Sequence, residues 1–92
     1  VAYEENLENV ESVVKATLKQ LLNDSENVAN NTEPRFGFSE FGDSNINFWI
    51  FMQAKDWPAS FQLKSEIIKS VHSSFAKKGI TINYPTRRII KD

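Results

Sequence analysis

Residues 34–54 read PRFGFSEFGDSNINFWIFMQA, and this stretch decides the fold. Two aromatic-rich runs flank a short turn carrying Gly42, Asp43 and Ser44, the pattern of a β-hairpin. In the second run Ile46, Phe48, Ile50 and Met52 share one parity, and Asn47, Trp49, Phe51 and Gln53 share the other. Strand side chains alternate between faces, so the first set forms a continuous apolar stripe. The second set mixes polar with aromatic groups and predicts a face that is only partly wet. In the first run Phe36 and Phe38 alternate with Gly37 and Ser39, again giving one apolar side. The hairpin therefore needs a cover from elsewhere in the chain.

Ninety-two residues suit one domain, and a chain of that size buries roughly two-thirds of its extended-chain surface. Aromatics make up 12% of it, with seven phenylalanines, enough bulk for a single core. A formal net charge of −1 gives no electrostatic reason to expect nucleic acid, whose binders carry basic patches. With no cysteine, disulfide and thiolate chemistry is excluded. The longest apolar run, Phe48 to Met52, is far too short to cross a bilayer, and no signal peptide is visible. A start at Val1 and not Met reads as an excised piece of a longer polypeptide.

Two segments around the hairpin change to a helical period. Leu7, Val10, Val13, Val14, Thr17, Leu18, Leu21 and Leu22 recur at spacings of three and four, predicting an amphipathic helix over 7–22. Asn6 is its N-cap, and Glu4, Glu5, Glu8 and Glu11 crowd the positive end of its dipole. That crowding is read as helix-start chemistry in preference to a cation site. Glu11 and Lys15 stand four apart in the favourable order. Residues 23–34 form a polar loop without period; its two glycosylation-like triplets, at Asn23 and Asn30, are discounted.

Lys55, Asp56, Trp57 and Pro58 break the strand and open a second helix, proline being tolerated in a first turn. Leu63, Ile67, Val71 and Phe75 recur every four residues, with Ile68 widening the stripe. Lys77 and Lys78 suit the negative end of the dipole, and Gly79 suits the left-handed closing position, with Ile80 as its apolar contact. Val1 to Tyr3 is a short β-prone start, and Ile80 to Ile82 is a further strand candidate, halted by Tyr84 and Pro85. The order strand, helix, strand, strand, helix, strand predicts an α+β fold. It is the ferredoxin-like split βαβ sandwich, with both helices on one face of a small mixed or antiparallel sheet. Residues 1–85 form this domain; residues 86–92 form a charged, β-prone tail.

Such an architecture hosts many functions, so function must come from a site. No catalytic, cofactor-binding or metal residue is expected. The single histidine, His72, follows core position Val71 and is expected to face solvent, with no second histidine or carboxylate cluster to complete a metal shell. No serine sits in a G-x-S-x-G elbow, and Gly37, Gly42 and Gly79 are too scattered to cradle a phosphate. RNA-recognition domains share the element order and stack bases on strand aromatics. Trp49 and Phe51 offer such a platform, but the characteristic basic-aromatic run is missing and the charge balance is wrong, so both are expected under a partner or a loop. An acylphosphatase-like enzyme would need a Gly-rich, Arg-bearing first loop, which residues 4–7 do not provide.

The run through residues 34–48, then KDW at 55–57, then residues 63–88 closely resembles the C-terminal cytosolic domain of the small-conductance mechanosensitive channel (MscS) family. The resemblance begins at Val1-Ala2-Tyr3 and extends nearly to the end. Its most specific pieces are EFGDSNINF at 40–48 and GITINYP at 79–85. Two departures concern the subfamily: the family often has proline where Asn83 stands, and members near the prototype carry Arg and Trp where Phe51 and Gln53 stand.

The resemblance implies a homoheptamer that opens under membrane tension and releases solutes on hypo-osmotic shock. It places the parent channel in the inner membrane and this domain on the cytoplasmic side. Domains of this type form a hollow cage with side portals, assembling subunits and filtering solutes without catalysis or cofactors. Thr86 to Ile90 would supply one strand per subunit to a barrel closing the cage base. An isolated strand after a proline needs such neighbours, and ring closure removes its edges. The alternative is a free-standing ferredoxin-like regulatory or ligand-binding module.

Overall fold

The computed structural model describes residues 1–83. Its elements run α1 (Leu7–Asp24), β1 (Arg35–Phe41), β2 (Ile46–Phe51) and α2 (Trp57–Lys78). Asn6 caps α1 as its spacing predicts, Oδ1 accepting the Asn9 N–H at 3.0 Å. The helix runs two residues past Leu22, to Asp24, and Ser25 closes it, its N–H donating to Leu21 O. Glu11 and Lys15 do pair, at 2.8 Å, an exposed contact that contributes little. Asp56 caps α2 through the Ala59 N–H at 2.8 Å, and Pro58 lies in the first turn, where no intrahelical donor is needed. At the other end Gly79 adopts φ 70°, and its N–H and that of Ile80 both reach Phe75 O. Only glycine takes this left-handed closing position without strain.

β1 and β2 pair antiparallel from Arg35↔Phe51 to Phe41↔Ile46. An irregularity between Phe38 and Glu40 leaves Ser39 without an opposite residue, a β-bulge that the alternation of the sequence conceals. Gly42 N–H closes the turn on Asn45 O at 2.7 Å. Before β1 the loop also runs alongside: Val28 bridges Ala54 in antiparallel fashion.

Both helices cover the same face of this ribbon. Val10, Val14 and Leu18 from α1 join Val71 and Phe75 from α2, Ile46, Ile80 and Val1 in one buried cluster. Phe36, Phe38, Phe48, Ile50 and Met52 pack down onto it, so the parity read from the sequence is the parity of the core. Phe48 meets Phe75 edge-on at 6.0 Å and Phe36 at 5.4 Å. Each fully buried side chain of this kind contributes on the order of 1.5–3 kcal/mol.

Three expectations are corrected. Val1 to Tyr3 is not a strand: Val1 alone pairs with Ile46, each N–H donating to the other's carbonyl, at 2.9 and 2.7 Å. Ile80 to Ile82 is not a strand either, since its one backbone hydrogen bond to the amino-terminal segment is Ala2 N–H to Thr81 O at 2.8 Å. Both are too short for a ladder, and the described sheet has two strands. Ile68 does not widen the core stripe of α2, because it is 59% exposed, at the border of the groove between β2 and α2. The expected tail and the Tyr84-Pro85 stop lie outside the described residues.

Candidate assembly surface

The two runs that carry the family resemblance touch each other. Asn45, at the close of the hairpin turn, donates from Nδ2 to Asn83 O at 2.9 Å and accepts the Asn83 N–H on Oδ1 at 2.8 Å. Asn83 Nδ2 in turn donates to Ser44 O at 3.0 Å. A primary amide placed this way presents the same donor and acceptor as a neighbouring strand, so Asn45 does for residue 83 what a ladder would do. Beside it Tyr3 stacks on Phe41, ring centroids 6.0 Å apart, and its hydroxyl donates to Gly42 O. Glu5 reaches across to accept the Thr81 N–H at 2.8 Å. This carboxylate, read from sequence as helix-start chemistry, ties the segment after α2 to the amino end of the chain.

At the same junction the Val1 nitrogen donates to Ile46 O.

The outer face of the hairpin is apolar and open. Trp49 lies over Gly37, and a Cβ at residue 37 would fall 2.8 Å from its ring, so the absence of a side chain there is what lets the indole lie flat. Trp49 and Phe51 are 45% and 55% exposed and border a shallow hollow with Asn31, Glu33 and Arg35. A second aromatic group stands at the start of α2, where Trp57 and Phe61 meet edge-on at 4.9 Å and remain largely exposed. A groove of about 320 Å³ runs between β2 and α2, bordered by Phe51 and floored by Ile50, Met52, Leu63 and Ile67.

Polar chemistry is sparse by comparison. His72 faces solvent on α2, as its position beside Val71 predicts, at the edge of a hollow with Ile80, Ile82 and Asn83. Thr17 Oγ1 and Ser74 Oγ link the two helices at 2.6 Å beside a polar cleft lined by Gln20, Asp24 and Lys69. Ser25 Oγ donates to Glu66 Oε1 at 2.6 Å, fastening the loop after α1 to α2. Among the described residues no three or more His, Asp or Glu side chains gather where they would hold a metal ion. Among them, too, no helix is long and apolar enough to cross a membrane. The exposed aromatic surface thus dominates what the chain offers a partner.

Comparison with known proteins agrees with the motif reading. The family model described as mechanosensitive ion channel MscS, C-terminal, matches residues 1–82. An uncharacterized MscS family protein of Synechocystis sp. is 25% identical over 91 residues, covering 97% of this chain. The chain spans 28% of that relative's length. No solved structure matches. With the family model covering nearly all of the described residues, and the two most specific motifs joined through Asn45 and Asn83, the chain belongs to the MscS mechanosensitive ion channel family as its C-terminal domain.

Proposed function

We propose that this chain is the cytosolic cage domain of a tension-gated channel that releases solutes on hypo-osmotic shock. Seven copies hold the subunits in register and filter what approaches the pore, with no catalysis of their own. The observation that carries this reading is the family match over residues 1–82. The exposed aromatic surface of Trp49, Phe51, Trp57 and Phe61 supports it, because a surface of that kind is costly in water and is expected to meet a partner. The fold is the ferredoxin-like sandwich, with Val1 and Thr81 standing in for two abbreviated strands. Residues 1–85 form the domain and residues 86–92 the tail, where Thr86 to Ile90 supplies one strand per subunit to a closing barrel. The domain lies on the cytoplasmic side of the inner membrane.

The experiment is complementation. Cells stripped of their own mechanosensitive channels and given the parent polypeptide are expected to survive a hypo-osmotic downshock, and the purified polypeptide to show the mass of a heptamer by light scattering. Deleting residues 86–90 is expected to weaken the heptamer while leaving the melting of this domain nearly unchanged. Survival no better than in cells carrying an empty vector contradicts the reading.

A further inference from the structure

The hollow on the outer face of the hairpin measures about 580 Å³, more than the groove between β2 and α2. Its lining combines two aromatic rings with one charge of each sign, Trp49 and Phe51 beside Glu33 and Arg35. The register explains how they meet. Arg35 stands opposite Phe51 and Gly37 opposite Trp49, so these positions share one face of the ribbon. Directly opposed side chains on one face are near enough to act together. With no side chain at residue 37 the indole settles against backbone, and both rings still keep about half their surface in water.

The loop before β1 builds the remaining wall. Val28 bridges Ala54, Ala29 N–H donates to Gln53 O at 2.9 Å, and Gln53 N–H donates to Thr32 Oγ1 at 3.4 Å. These contacts hold the loop beside the end of β2. Asn31 turns it there in left-handed backbone, φ 60°, a conformation that asparagine tolerates better than most residues. Glu33 then stands exposed on the rim, two residues ahead of Arg35.

Each part of this lining selects a chemistry. An indole face attracts a cation through its ring quadrupole, and quaternary ammonium groups are the ligands that aromatic surfaces of this kind recognise. Methyl groups on the nitrogen also bury apolar surface against the rings. A carboxylate nearby, Glu33, favours the same positive charge. A guanidinium, Arg35, grips a carboxylate through two parallel N–H donors. Among the described residues the one ion pair is Glu11 with Lys15, so Glu33 and Arg35 do not neutralise each other. A ligand carrying one diffuse cation and one carboxylate answers both. A polyanion does not, since it would meet a single cation with an anion beside it.

We propose that this hollow binds a small zwitterion of the N-trimethylated amino-acid class. Its quaternary ammonium lies against Trp49 and Phe51 near Glu33, and its carboxylate lies on Arg35. The site goes beyond the channel reading and does not depend on it, because every group in it belongs to this chain.

The test is calorimetric titration of the purified parent polypeptide with glycine betaine, for which saturable binding is expected. Glycine, which lacks the methyl groups, and choline, which lacks the carboxylate, are each expected to bind on the order of tenfold more weakly. Trp49→Leu removes the aromatic face and is expected to weaken betaine on the order of tenfold, whereas Trp49→Phe retains most of the affinity. Arg35→Gln is expected to erase the preference for betaine over choline, and Glu33→Gln to weaken both ligands alike. Glu33 and Arg35 are exposed, so both rim variants are expected to melt as the unsubstituted polypeptide does, which separates lost binding from lost folding. No saturable binding of betaine overturns the proposal. So does glycine binding as tightly as betaine, or a preference over choline that survives Arg35→Gln.

Discussion

The two ends of β2 are built differently. Around Ile46 the chain is closed: Val1, Val10, Val14, Phe75 and Ile80 are buried together, and Asn45 and Asn83 exchange hydrogen bonds above them. Around Phe51 it is open: Phe51, Trp57, Phe61 and Ile68 all stand largely in solvent, and Phe51 and Ile68 border the groove between β2 and α2. The same strand, with the same alternation, is a core element at one end and an unfinished surface at the other. The most deeply buried cluster of the described residues therefore lies toward the Ile46 end.

Substitution breaks or sharpens this contrast. Phe75→Ala at the closed end is expected to cost about 3–5 kcal/mol by urea denaturation, the range for deleting a buried aromatic. Phe61→Ala at the open end, removing a ring of the same size, is expected to stay within about 0.5 kcal/mol. Similar losses at both sites would erase the distinction.

Next in size is the amide pair. Asn45→Ala strands the Asn83 N–H and is expected to cost about 1–3 kcal/mol. A double-mutant cycle with Asn83→Ala is expected to show coupling, because the Asn83 side chain holds Ser44 O in the same turn. Asp56→Ala, which removes the cap of α2 at the open end, is expected to cost about 1 kcal/mol.

Much of this was legible in the residues themselves. The parity of Ile46, Phe48 and Ile50, the cap at Asn6, the proline opening α2 and the glycine closing it each follow from local chemistry. The helix stripes named the core, except at Ile68, where periodicity marks a direction but cannot say where the covering layer ends. Ser39 hides its bulge because a serine costs nothing on either face. The Asn45–Asn83 exchange and the reach of Glu5 to Thr81 join residues 38 and 76 positions apart, and no short-range pattern reports such contacts. The exposed aromatics were expected under a partner or a loop; the loop before β1 borders Trp49 and Phe51 through Asn31 and Glu33 but leaves both about half exposed.

The most direct measurement is a patch recording from membranes carrying the parent polypeptide in cells that lack other mechanosensitive channels. Current that rises with applied tension, and vanishes when the polypeptide is absent, is expected. Patches that stay silent up to the lytic tension, with the polypeptide shown to be present in the membrane, would contradict it.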